Sequence, residues 1–227
     1  MPTAKTTTLT KPEIRARKMK FNFEDINSAN YWDGNAIVSS YFAAMSATFP
    51  PGEKEFIESV RLFKDRITDT ELQKEIKAFI GQEGHHSFQH RQINNAFDAQ
   101  GWDTAKIEDK LRKKITWFNQ YLSPESRLAR TVCFEHITAI MSEFMLSNQE
   151  ILDDLPESLK SLFLWHTVEE IEHKSVAFDV YETLVADRNH LRRHMALVTI
   201  DFSLTMLYYQ FMAHVWARSV PSWSDVK

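Results

Sequence analysis

The chain has 227 residues, 43% hydrophobic and 26% charged, with only 5 glycines and 7 prolines, a mix that argues against turn-rich all-β architectures and for long helices. Lys and Arg number 27 against 31 Asp and Glu, a net charge of −4, which is no nucleic-acid-binding footprint. The single cysteine, Cys133, excludes an internal disulfide framework and any Cys-based zinc or iron–sulfur site within one chain, and it fits a cytoplasmic location.

In chain order, residues 1–20 read as a basic flexible tail, because Lys5, Lys11, Arg15, Arg17, Lys18 and Lys20 are opposed only by Glu13. No apolar run of signal-peptide length precedes Phe21, so secretion is not expected. Residues 21–227 read as one helical domain. A helix over 35–48 carries Ile37, Val38, Tyr41, Phe42 and Met45 at helical spacing and ends at Pro50-Pro51. A second runs from Gly52 to about Ile67. Thr68 or Asp69 caps a third, which Gly101 stops. Residues 104–122 form an amphipathic basic helix. Ser123-Pro124 opens the next, with Ser as N-cap and Pro at the first helical position. Leu155-Pro156 opens another, to about Ala186, and Asp187 caps the last, to about Ser219. Residues 195–217 are long and apolar enough to raise the question of a bilayer span. Asp201, Gln210 and His214 interrupt them, so a buried or interface helix is the expectation, and a homodimer through it, with Trp216 and Trp223 nearby, is a further one.

Two Glu-x-x-His motifs carry the chemistry: Glu83-Gly-His-His86 and Glu170-Ile-Glu-His173. Residues three apart lie about 60° apart around a helix, so carboxylate and imidazole can grip one ion. Two such motifs plus one Glu from each of two further helices form the dinuclear carboxylate pattern of ferritin-like four-helix bundles. Glu53 and Glu135 are the single Glu candidates. The expected fold is therefore all-α, a ferritin-like four-helix bundle with additional N-terminal and C-terminal helices.

Helical projection at about 100° per residue tests each stripe. That of Glu83 holds Leu72, Ile76, Phe79, His86, His90 and Phe97; that of Glu170 holds Leu159, Phe163, His166, His173, Ala177, Tyr181 and Leu184. Glu172 points away, and Glu169 lies about 100° off the stripe. Glu53 falls in the first turn of its expected helix. The Glu135 stripe is small or hydroxylated (Thr131, Thr138, Ala139, Ser142), which predicts a cavity beside the ions. Burying four carboxylates and several histidines without a cation costs several kcal/mol per ion. The expected ligands are Glu53, Glu83, His86, Glu135, His166, Glu170 and His173. His90 can be a ligand, a support or a substrate contact. The ions are two irons, with manganese or zinc as alternatives.

Two resemblances follow from these motifs. Phe49-Pro-Pro-Gly-Glu53, Gln82-Glu83-Gly-His-His86, Glu135-His136 and the run from Trp165 through His166, Glu170, His173 and Asp179 to Tyr181 resemble the bacterial family catalogued as predicted metal-dependent hydrolases, over roughly residues 30–220. Separately, His166, Glu170 and His173 combined with Glu83, His86, Glu53 and Glu135 are similar in pattern and order to the ligand set of the di-iron arylamine N-oxygenases. That second resemblance implies a ferritin-like bundle with a seven-ligand iron pair.

Three functions fit. The first is a di-iron enzyme that activates dioxygen to oxidise a small substrate. Glu53, Glu83, Glu135 and Glu170 would supply carboxylates that shift with the charge on iron, Tyr181 an electron or hydrogen bond, and an external donor the reducing electrons. The second is a metal-dependent hydrolase, with His90 or Glu169 as general base. The third is a non-enzymatic iron-binding or structural bundle. No nucleic-acid partner is expected.

Overall fold

In the computed structural model, residues 13–217, Pro221 and Asp225 are described. The helices are α1 (Ala36–Arg61), α2 (Thr70–Ala99), α3 (Thr104–Asn119), α4 (Pro124–Ser147), α5 (Glu157–His173), α6 (Val176–Leu184) and α7 (Arg188–Ala217). Short 3-10 turns follow α1 (Lys64–Arg66) and α4 (Gln149–Leu152), and the described residues contain no strand.

Local chemistry accounts for most of the boundaries. Asn35 accepts from the Val38 N–H at the start of α1. Asp69 accepts from the N–H groups of Glu71 and Leu72, and Ser123 from that of Ser126 ahead of Pro124. Gly101, at φ +101°, takes the conformation that ends α2.

Two expectations fail. The break at Pro50-Pro51 is absent, because α1 continues through both prolines. A proline inside a helix strands the carbonyl four residues earlier, at a cost of about 3 kcal/mol. Here Asn94 Nδ2, from α2, donates to the Ser46 carbonyl at 3.4 Å, so a neighbouring helix supplies what Pro50 lacks. The helix expected from Pro156 to about Ala186 is instead two: α5 ends at His173 and α6 begins at Val176. Burial of Val176, Ala177, Val180 and Tyr181 against Val60, Phe63, Ile76 and Phe79 outweighs the interrupted ladder.

α1, α2, α4 and α5 form the bundle. Side-chain pairs fix their directions: Ser46 meets Asn94 while Glu53 meets Ser87, so α1 and α2 are antiparallel. His90 meets His166 and Gln82 meets His173, so α2 and α5 are antiparallel as well. α3 carries the chain back along α1, where Asn119 donates to Glu55. The result is a four-helix bundle with one long crossover, the ferritin-like connection.

Two apolar clusters fill the ends. One gathers Ile26, Trp32, Met45, Ile93, Phe97, Leu159 and Leu162; the other Val60, Phe63, Phe79, Leu128, Val180 and Tyr181. On α1, α2, α4 and α5 the buried Glu and His residues lie between these clusters, as a polar waist.

α7 lies across α1 and α4. Its inner face buries Val198, Met206, Tyr209 and Ala213, while Leu197, Ile200, Leu204, Leu207 and Phe211 are 59–65% exposed. The polar residues that interrupt its apolar run bind inside the protein: Asp201 to Lys114 and Arg130, Gln210 to the Ile37 carbonyl, His214 to Ser40. No helix among the described residues is long and apolar enough to cross a membrane. Trp223 lies outside the described residues, as do residues 1–12.

Residues 13–20, expected as part of a flexible tail, lie against the bundle. Ile14 is buried, Gln82 Nε2 donates to the Arg15 carbonyl at 3.2 Å, and Gln89 Nε2 to that of Met19 at 2.7 Å. Arg17, whose side chain is half-exposed, pairs with Glu169 and Glu172 of the same chain.

Candidate metal centre

The seven residues singled out by helical projection meet in the waist. Three overlapping sets bring their donor atoms within 4.8 Å of one another: Glu53, His86 and His166; Glu83, Glu135 and His173; Glu83, His86 and Glu170. All seven are buried. α1 and α4 contribute one carboxylate each, Glu53 and Glu135, and α2 and α5 contribute the two motifs. Because α1 runs on through its prolines, Glu53 sits in mid-helix, not in the first turn where the sequence puts it.

Glu170 Oε1 is the hub. It lies 2.9 Å from His166 Nε2, 3.5 Å from His173 Nε2 and 3.6 Å from His86 Nδ1. His173 Nε2 also faces Glu83 Oε1 at 3.2 Å and Glu135 Oε2 at 3.4 Å. His166 Nε2 lies 3.9 Å from Glu53 Oε1, whose other oxygen accepts from Ser87 Oγ at 2.8 Å.

Each of the three histidines is anchored through its other nitrogen, and the anchors fix the tautomers. Gln82 Nε2 donates to Glu172, so Gln82 Oε1 is left to accept from His173 Nδ1–H at 3.0 Å. His86 Nε2–H donates to Glu169 Oε2 at 3.1 Å. The third anchor is a relay. Asn94 Nδ2 donates to the Glu108 carboxylate and Asn94 Oδ1 accepts from Ser46, so Ser46 accepts from His90 Nδ1–H. His90 Nε2 then accepts from His166 Nδ1–H at 2.7 Å. In the neutral imidazoles, lone pairs on His86 Nδ1, His166 Nε2 and His173 Nε2 are thereby aimed inward, the arrangement by which outer partners orient metal-binding imidazoles.

These bonds revise three expectations. Both nitrogens of His90 are engaged, so it supports His166 and has no nitrogen left to bind an ion. Glu169 is held by His86 and by the backbone and guanidinium of Arg17, so it is not free to act as a base. Tyr181 donates to the Asp187 carbonyl and accepts from His190 Nδ1, each at 2.9 Å, because the break after His173 carries it into the apolar end. The sequence reading also missed Arg17, Gln82 and Glu172. Arg17 binds Glu169 and Glu172 together, and so steadies the anchors of both His86 and His173. Glu172 does point away from the cluster, but toward Arg17 rather than into solvent; only this long-range pairing reveals its role.

The electrostatics are those of an uncompensated acidic cluster. Burial, and then repulsion from Glu135 and Glu170, pushes Glu83 well above the usual carboxylate range. Burial does the same for Glu53 against the Ser87 hydrogen bond, and raises Glu135 to about 8 despite His173. Burial would also raise Glu170, but His173 and His166 hold it well below that range. Among the described residues, no Lys or Arg forms an ion pair with any of these four carboxylates.

Eight buried atoms of the cluster have no hydrogen-bond partner: Glu53 Oε1, both Glu83 oxygens, His86 Nδ1, both Glu135 oxygens, Glu170 Oε2 and His173 Nε2. Native proteins leave few such atoms, and each costs about 1–3 kcal/mol. The carboxylates and imidazoles form a hard and intermediate donor set that suits iron, manganese or zinc. Aromatic rings close around it: Phe79 lies edge-on to His173 at 5.0 Å, Trp165 to His86 at 4.8 Å, and Phe49 covers His166 at 4.8 Å. Two cavities touch the cluster on the α4 side, lined by Thr131, Thr138 and Ser142, the small stripe that predicted them.

The family model described as predicted metal-dependent hydrolase matches residues 15–227, and the chain belongs to that family. No curated protein and no solved structure matches the chain.

Proposed function

We infer, from membership of this family and from the donor set, that the chain is a hydrolase with a dinuclear metal centre. Glu53, His86 and His166 would hold one divalent ion and Glu83, Glu135 and His173 another, with Glu170 available as a further carboxylate. The observation that carries this reading is the convergence of eight unpartnered donor atoms on one buried point. Two divalent ions there supply Lewis-acid polarisation and acidify water, and two ferrous ions would instead supply electrons to dioxygen.

The chain's own groups do the rest. Glu53 is the one carboxylate of the cluster that lines the larger cavity, and its Oε1 has no partner. Ser87 occupies Oε2, so Oε1 is the oxygen that Glu53 would turn to an ion beside the cavity. Ser87 keeps the carboxylate oriented through Oε2. The outer carboxylates Glu169 and Glu172 hold the imidazoles in one tautomer while Arg17 balances their charge.

The second reading, a dioxygen-activating di-iron enzyme, is favoured by one observation: the aromatic rings that shield the histidines from water. One experiment separates the two. Zinc- or manganese-loaded protein is assayed without oxygen on a panel of activated esters and phosphoesters, beside ferrous-loaded protein in an oxygen electrode. Anaerobic turnover that disappears in Glu135→Ala supports hydrolysis. Oxygen uptake with no anaerobic turnover overturns it in favour of the second reading.

A further inference from the structure

The larger cavity has a volume of about 110 Å³ and runs from Glu53 outward between α1, α3, α4 and α7. Its walls are apolar, with Phe56, Leu111, Phe118, Phe134, Phe202 and Met206. The smaller cavity shares Phe49, Thr138 and Phe202 with it and reaches His166 and Glu170. The cluster therefore borders an apolar chamber on its α4 side.

The charged groups that line the chamber differ between its two ends. Glu55 is neutralised by Arg127, which reaches it through two bonds of 2.8 and 2.9 Å. Lys114 and Arg130 share one carboxylate, Asp201, at 2.5 and 3.2 Å. Glu53 is the acidic group at the inner end, and at the mouth two cations on one anion leave a local excess of positive charge. The side chains of Lys114 and Arg130 are 28% and 19% exposed, which sets them at the mouth. Arg130 stacks over Phe118 at 5.0 Å and Phe134 at 5.7 Å, so its guanidinium is packed in place and retains unused N–H donors.

We propose that this chamber is the substrate pocket and that its ligand is a small monoanion with an apolar body of about six carbons, since an apolar cavity of about 150 Å³ takes benzene. The anionic group sits on Lys114 and Arg130, the apolar body lies between Phe134 and Phe202, and the other end faces Glu53. The proposal deepens the hydrolase reading and rests on it only for which end reacts; binding itself does not require the ions.

The probe is hexanesulfonate, an anion that coordinates metals weakly, titrated by calorimetry against hexanol and hexylammonium. The expected result is that hexanesulfonate binds, hexylammonium does not, and Lys114→Gln or Arg130→Gln weakens binding by about tenfold or more. Helix content and bound metal, measured on the same variants, should stay at the wild-type level and so show that the fold is intact. Equal binding of hexanol and hexanesulfonate, no binding at millimolar concentration, or folded variants that bind as tightly as wild type would each overturn the proposal. Bound hexanesulfonate on a chain that takes up no metal would leave the pocket standing and remove the hydrolase reading. Two bound ions with no hexanesulfonate binding would do the opposite.

Discussion

Two clusters of histidine in this protein differ in one respect. In the waist, His86, His90, His166 and His173 lie among four buried carboxylates. At the start of α7, His190 and His194 stand one turn apart with their Nε2 atoms 3.0 Å from each other, beside Tyr181, Ser126 and the exposed Asp187, whose carboxylate accepts from the His190 backbone N–H. In the second cluster burial, followed by the charges of His190, Arg130 and Arg193, lowers His194 to about 4. In the waist burial likewise opposes the charge on His173, yet Glu170 and Glu135 overcome it and raise that imidazole. The difference teaches that carboxylates, and not histidines, create the demand for a cation. Imidazoles alone can settle as neutral hydrogen-bonding groups, whereas four buried carboxylates cannot all settle that way.

The largest expected effect comes from removing a donor on the carboxylate-rich side. Glu135→Ala or His173→Ala should empty at least one of the two ion positions, whereas His194→Ala should leave metal content as it is; elemental analysis of the purified variants compares them. An unchanged metal content in both waist variants would erase the distinction between the clusters.

A smaller effect should follow from the outer anchors. Arg17→Ala frees Glu169 and Glu172, and metal affinity, measured by competition with a chelator, should fall about 10–100-fold. Gln82→Ala should act in the same direction through His173 and Glu172.

The pH dependence of metal-free stability sharpens the comparison further. Glu53, Glu83 and Glu135 have folded pKa values raised above the unfolded 4.5, Glu135 to about 8, so the folded state binds more protons than the unfolded one. Stability then falls as pH rises. His173, raised above 6.5, adds to the fall. His86 and His90, lowered below 6.5, act in the opposite sense, but only below that value. Metal-free protein should therefore lose thermal stability between pH 7 and about 8, while metal-loaded protein should not. Thermal melts at several pH values, with and without chelator, read this directly.

The smallest effect belongs to the second cluster. His194 keeps its folded pKa near 4, so it costs stability as pH falls from 6.5 toward 4. His194→Gln should relieve that cost and raise the acid-side melting temperature by about 2–4 °C. No gain on the acid side would show that burial of His194 is weaker than its position suggests.

The seven central residues were legible because helical periodicity is a local property: three- and four-residue spacings place Glu83 with His86, and His166 with Glu170 and His173, whatever the helix packs against. The sequence places Glu53 on the right stripe but in the wrong part of its helix. The proline rule is local too, and it was overruled by Asn94, a residue 48 positions from Ser46. The break between α5 and α6 was illegible for a similar reason, since it reflects where Val180 and Tyr181 find a core. Tyr181 then left the ligand stripe with its helix. Arg17 was read as part of a solvated tail because a charge has no periodicity; its partners lie 152 and 155 residues away. The small residues around Glu135 were the exception among tertiary features. Thr131, Thr138 and Ser142 foretold a cavity because missing side-chain volume on a buried stripe can be read from the sequence alone.

The account stands or falls on the ions. Metal-free protein, prepared with a chelator and shown by circular dichroism to remain helical, should be titrated with zinc or manganese while bound metal and released protons are counted. The account predicts two ions per chain, proton release on binding because Glu53, Glu83 and Glu135 must give up their protons, and loss of ions in Glu53→Ala and Glu135→Ala. A helical protein that takes up no divalent ion, or one whose uptake is indifferent to both substitutions, would contradict it.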